Sequence, residues 1–380
     1  MKILSIETSC DETALAILKA SGENTPVFKI LSSSLNSQIE LHKEFGGVFP
    51  NLAKREHANN FPHLLNEVFE RLKEKDNILE IEIKDEVIKL LEREEVMSEK
   101  LINYVETHEK PDIDMIAVTS GPGLEPALWV GINAARALSL MWNIPVLPVN
   151  HMEGHIASVL LSENTDIQFP SISLLISGGH TELIKINKWG DYEILGKTKD
   201  DAIGEAYDKV ARMLDISYPG GPEVSIRAAK LREKGETPLF DFPRPMIHSK
   251  DLDFSFSGIK TSVLYKVQSL GEMDEDTKDQ IAYSFEEAVV EVITKKTQSA
   301  IDLIDAKSLI VGGGVIANKN IRESLKKICN ERGIDIHLPE KDLSTDNAIM
   351  IGAAGYLKSL RKKPEINMEI KANGNWRVDS

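Results

Sequence analysis

Apolar residues fall into two kinds of run along the chain. Short, mostly apolar stretches occur at 2–6 (KILSI), 13–18 (TALAIL), 113–119 (IDMIAVT), 144–150 (IPVLPVN), 171–177 (SISLLIS) and 182–186 (ELIKI). Runs of this length, bounded by polar or glycine-rich turns, predict β-strands. The first two are separated by E-T-S-C-D-E, which predicts a β-hairpin with a polar tip. Longer stretches carry helical spacing: 129–142 (WVGINAARALSLMW), 151–161 with Ile156, Val159 and Leu160 on one face, and the small-residue-rich 346–360. Residues 308–328 predict a strand, a glycine turn and a helix. Strands alternating with helices imply an α/β architecture with a mixed or parallel sheet. The pattern restarts after residue 170, again with an apolar hairpin and a glycine turn, which points to an internal duplication. There is no short-period repeat.

Residues 71–110 stand apart. They are roughly half charged, with acids in excess, yet Ile83, Val87, Leu90 and Leu91 keep helical spacing. The expectation is a solvated helical insertion outside the core. With 380 residues in all, the expected domains are 1–150, an α/β domain carrying that insertion, and 151–346, a second α/β domain with the metal and nucleotide site. Residues 347–380 form a C-terminal helix and tail that pack back on the first domain.

Composition narrows the class. An apolar fraction of 42% is ordinary for a globular protein with a sizeable core. No run of about 18 apolar residues predicts a membrane span. The N-terminus runs straight into Asp11 and Glu12, unlike a signal peptide. Cys10 and Cys329 imply no disulfide framework. A cytoplasmic protein fits these features. The net charge of −15 argues against a broad nucleic-acid surface. Much of that charge sits in 71–110, however, so a local basic patch or a partner could still meet RNA.

His151 and His155 lie at i, i+4 and project from one helix face. Such a pair is a common half-site for a divalent metal, completed by a carboxylate. Asp346, at a turn before a helix, is the candidate. On spacing alone two partly buried histidines near a helix N-terminus fit equally well. A zinc-protease reading fails: the general-base glutamate should follow the first histidine, and Met152 stands there. Glu153 points roughly 200° away from His151 round the helix.

Three glycine clusters, S-G-G-H (177–180), Y-P-G-G-P (218–222) and V-G-G-G-V (311–315), let backbone N–H groups approach a phosphate or nucleotide. None matches a P-loop or a dinucleotide fingerprint. Asp208 could accept two ribose hydroxyls or simply pair with Lys209 or Arg212. Asn318 could read a ligand edge or cap a helix. Asp11 and Glu12 could serve as acid and base, or be ordinary turn polarity.

Ten motifs in order then become recognisable: I-E-T-S-C-D-E-T, G-G-V-F-P-N-L-A-K-R-E-H, G-P-G-L, H-M-E-G-H, L-L-I-S-G-G-H-T, D-D-A-I-G-E-A-Y-D-K, Y-P-G-G-P, D-F-S-F-S-G-I-K-T, G-G-G-V-I-A-N and S-T-D-N-A-I-M-I. With them the chain resembles the bacterial branch of the TsaD family over nearly all its length except 71–110. The resemblance implies an actin-like, sugar-kinase-like fold of two duplicated α/β domains with a nucleotide cleft between them. It implies transfer of L-threonylcarbamoyl from threonylcarbamoyl-adenylate to N6 of adenosine 37, in tRNAs reading codons that begin with A, with AMP released.

By the same resemblance His151, His155 and Asp346 bind one Fe2+, with another divalent metal such as Zn2+ as the alternative. Leu175, Ile176, Ser177, Gly178 and Gly179, with Asp208, Gly221 and Asn318, line the adenylate site. Asp11 and Glu12 are the candidates for the transfer step. The implied partners are tRNA, a paralogue TsaB and an ATPase TsaE, with no membrane. Leu175 stands where archaeal relatives carry a metal-binding Tyr, and G-P-G-L-E-P replaces the usual G-P-G-L-V-G. A kinase-like phosphotransferase on the same fold and a non-catalytic scaffold paralogue are the other readings. A paired-histidine metal site argues against the first, and a scaffold is expected to lack His151, His155 and Asp346.

Overall fold

The computed structural model describes residues 1–72, 85–162, 165–366 and 368–380. The chain forms two compact units, Met1–Thr165 with Thr345–Val378, and Asp166–Ser344. In the first, β1 (Lys2–Glu7) and β2 (Glu12–Ser21) pair antiparallel, with Leu4 opposite Ile17 and Ile6 opposite Leu15. β3 (Val27–Ser37) extends this meander. There follow α1 (Ile39–Lys43), α2 (Pro50–Glu70), α3 (Asp85–Leu91), α4 (Glu95–Thr107), β4 (Met115–Gly121), α5 (Glu125–Trp142), β5 (Val146–Asn150) and α6 (His151–Ala157). Strand order is β3-β2-β1-β4-β5, with β1–β4 and β4–β5 parallel. Helices cover both faces, so the inner strands read as continuous apolar runs rather than alternating ones. Edge strand β3 is more polar and more exposed. Glu125 and Pro126 occupy the first turn of α5, where an acid and a proline both suit a helix start.

The second unit contains β6 (Ser171–Ile176), β7 (Thr181–Lys188), β8 (Asp191–Lys197), α7 (Ile203–Met213), α8 (Gly221–Glu233), α9 (Ser257–Leu270), α10 (Glu275–Ile304), β9 (Ser308–Gly312), α11 (Lys319–Arg332) and β10 (Asp335–His337). Its sheet, β10-β9-β6-β7-β8, repeats the first: an antiparallel three-strand meander, then two parallel strands added beside its first strand. This is the duplication that the restarting pattern foretold. The chain then returns to the first unit with α12 (Ala348–Ser359), which packs on β1, β2 and α6. That packing is why the first unit runs on to Thr165, past the boundary expected at 150: α6 is held there against α12.

The insertion expected at 71–110 needs correction. Residues 73–84 lie outside the described residues. Beyond them, Val87, Leu91, Met97, Leu101 and Val105 are at most 1% exposed and join the core that holds Leu4, Ile6, Phe61 and Leu138. The segment is half charged, but its apolar residues fall at i, i+4 and face inward. Leu101→Ala should therefore destabilise the first unit by about 2–5 kcal/mol, the usual range for a buried leucine. Denaturant unfolding checks this; a change below about 0.5 kcal/mol would place α4 on the surface after all.

Candidate metal centre and ligand cleft

α6 starts because Asn150 caps it: its Oδ1 accepts the N–H groups of Met152 (2.8 Å) and Glu153 (3.4 Å). His151 and His155 then face the start of α12. Gly154 lets the helices come this close, since a Cβ there would lie 2.9 Å from Ile351 Cδ1. Asp346 directly precedes Asn347, which caps α12 by accepting the Met350 N–H. One ligand atom from each of His151, His155 and Asp346 falls within 4.8 Å of the others. Asp346 Oδ1 is 3.4 Å from His151 Nε2 and 3.1 Å from His155 Nε2.

A fourth residue, Glu7 at the end of β1, completes the arrangement. It is fully buried and accepts from His151 Nδ1 (2.9 Å), Thr119 Oγ1 (2.6 Å) and the Ser9 N–H (2.5 Å). That contact fixes the His151 ring and turns Nε2 toward Asp346, the usual second partner of a metal-binding histidine. Burial alone would raise the Glu7 and Asp346 carboxyls. His151 instead holds Glu7 below its usual range, and His151 with His155 holds Asp346 well below it. Against burial, Asp346 and Glu7 push the His151 ring well up, so the two carboxylates draw positive charge into the cluster, which a cation could supply in place of the ring proton. His155 is buried with Nε2 facing only Asp346 Oδ1, 3.1 Å away and out of line for a good hydrogen bond, which fits a donor set built for a cation.

The hairpin tip wraps around this cluster. Ser9 Oγ is 3.2 Å from His151 Nδ1. Asp11 is buried, and burial with Asp346 and Asp11 pushes the Glu12 carboxyl up to about 9. Burial and Asp11 also push the Cys10 thiol well up, so it is not a thiolate nucleophile. His57 holds the tip from behind: burial keeps it neutral, Nε2–H donates to the Cys10 carbonyl (3.0 Å), and Nδ1 accepts from Thr13 Oγ1 (2.7 Å). That accounts for the histidine of the second motif.

In the second unit a cleft of about 520 Å³ is lined by Gly178, Gly204, Tyr207, Asp208, Gly221 and Asn318, among others. Asp208 Oδ1 accepts the N–H groups of Gly220 (2.8 Å) and Gly221 (3.3 Å), pinning the Y-P-G-G-P turn. Burial raises its pKa. Asn318 caps α11 through Ile321 N–H, while its Nδ2 donates to Glu286 (2.6 Å) and Ser225 (2.8 Å). Its amide is thus used to shape the cleft wall. Leu175 and Ile176 are buried in β6 and do not line the cleft; of their run only Gly178 does. The sequence reading missed Glu286, Tyr207 and Arg232. Glu286, 1% exposed, holds Arg232 and Asn318 together, and an acid on the apolar face of α10 was the available signal.

The duplicated sheet topology defines the actin-like, sugar-kinase-like class of α/β protein; in this chain one unit carries the glycine-lined cleft and the other the His-His-Asp cluster. The crystal structure of full-length HypF in its phosphate- and nucleotide-bound form shares this fold, with a TM-score of 0.55 at 12% identity, over 95% of this chain and 47% of that one. The family model for TsaD, tRNA N6-adenosine threonylcarbamoyltransferase, matches residues 29–80 and 91–353. A tRNA N6-adenosine threonylcarbamoyltransferase of Staphylococcus epidermidis is 41% identical over 93% of this chain and 91% of its own length. One from Acidovorax is 40% identical over 100% of this chain and 97% of its own. The chain belongs to the TsaD family.

Proposed function

We propose that this chain transfers L-threonylcarbamoyl from threonylcarbamoyl-adenylate to N6 of adenosine 37, in tRNAs reading codons that begin with A. The observation that carries the proposal is the convergence of His151, His155 and Asp346 in a member of this family. The donor is a mixed anhydride. The N6 amine attacks its carbonyl carbon, the bond to the phosphate oxygen breaks, AMP leaves and N6 loses a proton. N6 is a weak nucleophile because its lone pair is delocalised, so positioning and charge stabilisation must supply the rate. A divalent cation held by His151, His155 and Asp346, in our reading Fe2+, would act as a Lewis acid toward developing oxygen charge.

The chain's own groups divide the remaining work. Asp11 accepts the N6 proton. Glu12, protonated at neutral pH, donates a hydrogen bond; a cation beside Asp346 removes part of its shift but leaves burial and Asp11. Gly178, the one residue of its run that lines the cleft, faces the phosphate side of the adenylate, and Gly221 its adenosine side. Asp208, whose Oδ1 is engaged by the turn, offers Oδ2 to the ribose.

Asp208→Ala should weaken adenylate or AMP binding by about 1.5–3 kcal/mol, as expected for hydrogen bonds to a charged group. Asp208→Asn keeps an acceptor for Gly220 and Gly221 and separates the turn from the ribose contact. Wild-type affinity for both variants by calorimetry removes Asp208 from the ligand set.

The partners in this reading are tRNA, a TsaB-type paralogue and a TsaE-type ATPase. Leu41, Phe45 and Phe49 support a protein partner: they are 47–60% exposed, and the two phenylalanine rings stack at 5.8 Å. A partner would also supply the basic surface that a chain of net charge −15 lacks. The setting is the cytoplasm, and among the described residues no helix is long and apolar enough to cross a membrane. Incubation with threonylcarbamoyl-adenylate, tRNA and the partners should yield threonylcarbamoyl-adenosine in a nucleoside digest. Unmodified tRNA from folded, adenylate-binding protein would contradict the reading.

A further inference from the structure

Residues 370–378 follow no helical or strand period, and nothing in the transfer reading uses them. They are nevertheless pinned. Ile370 and Val378 are buried at either end. The Asn373 N–H donates to the Ser120 carbonyl (2.9 Å), and the Gly374 carbonyl accepts the Gly123 N–H (3.2 Å). Lys358 Nζ sits 4.6 Å from the centre of the Trp376 ring. Gly121 must be glycine for the tail to lie there, because a Cβ would fall 2.0 Å from the Asn373 carbonyl oxygen.

Asn150 is the junction. It is 2% exposed. Its Oδ1 caps α6, which leaves Nδ2 to donate to the Trp376 carbonyl at 3.2 Å. The next residue is His151. By a second route, Gly123 leads to Leu124, whose N–H donates to the Ser9 carbonyl (2.8 Å), and Ser9 Oγ is 3.2 Å from His151 Nδ1. By a third, Lys358 lies on α12, the helix that Asp346 precedes. The tail thus touches the α6 cap, the loop behind Ser9 and α12.

We propose that residues 370–378 form a clasp that sets the geometry of the His151–His155–Asp346 cluster, with Asn150 and Trp376 as its positioning residues. The proposal rests on the metal reading of that cluster. Supporting contacts of this kind typically govern metal affinity by 10–100-fold, because ligand atoms must be held in place before the ion arrives. Asn150 serves two masters with one amide: oxygen to the helix, nitrogen to the tail.

That division gives the test. Asn150→Asp keeps a good helix cap but sets a carboxylate oxygen against the Trp376 carbonyl. Truncation after Lys371 removes the clasp. In both full-length and truncated chains, Fe2+ and Zn2+ affinity is measured by competition with a chromophoric chelator. Hydrogen exchange at the Met152 and Glu153 amides is read in metal-free protein. Both variants should bind either ion about 10–100-fold more weakly, and truncation should speed exchange at those amides. Wild-type affinity in both variants overturns the clasp. If the unmodified chain binds neither ion, the metal reading fails instead. Exchange then decides the clasp, which unchanged protection after truncation overturns. Should the truncated chain not fold, Asn150→Asp alone decides by affinity and by exchange across the rest of α6.

Discussion

A chain with both His151 and His155 replaced by alanine should hold no metal and transfer threonylcarbamoyl at a rate lowered by about 10²–10⁴-fold. A Lewis acid contributes several kcal/mol to such a step, and each 1.36 kcal/mol is a factor of ten. The double change also strips Glu7 and Asp346 of their balancing imidazoles, which costs stability because unpaired buried charge is unfavourable. His155→Ala is therefore the companion variant. It leaves the Glu7–His151–Asp346 contacts in place while removing one ligand. Elemental analysis and circular dichroism read both variants. Stoichiometric metal in the folded double variant would refute the assignment.

Asp11→Asn should slow transfer from preformed threonylcarbamoyl-adenylate by about 10²–10⁴-fold, the usual worth of general-base help. The substitution keeps size and most hydrogen bonding and removes basicity. The Asp11 carbonyl, which accepts the Gln38 N–H at 2.9 Å, is untouched, and His57 still holds the tip through Cys10 and Thr13. Metal content and adenylate affinity should stay near wild type. A wild-type single-turnover rate removes Asp11 from the mechanism, and lost adenylate binding reassigns it to the ligand. Glu12 is the weaker candidate for the base, since a carboxyl held near 9 keeps its proton at neutral pH.

Much of this was legible in the sequence, for identifiable reasons. Two-sided burial writes β1, β2, β4 and β6 as mostly apolar runs broken chiefly by small hydroxyl residues, and these predicted the strands and the duplication. The i, i+4 histidines announced a shared helix face. Other features were hidden. Glu7 ends an apolar strand and looks like turn polarity until the fold brings His151 to it across 144 residues of sequence. The segment after residue 84 misled through its charge density: an amphipathic helix can be half charged and still bury Met97, Leu101 and Val105. Asn318 was ambiguous because an N-cap and a ligand-reading amide are the same residue at the same place; its partners settle the cap. The tail at 370–378 carries no period at all, since its order comes from contacts with Ser120, Gly123 and Asn150.

The most direct measurement is a single-turnover transfer assay on the wild-type chain with its partners, preformed threonylcarbamoyl-adenylate and tRNA, run across a titration of bound metal. Chelated protein should still bind adenylate but modify almost no adenosine. Restoring metal to one equivalent per chain should restore the rate in proportion, with AMP and modified adenosine appearing in equal amounts. Full-rate transfer by protein that elemental analysis shows to be free of metal would contradict the account.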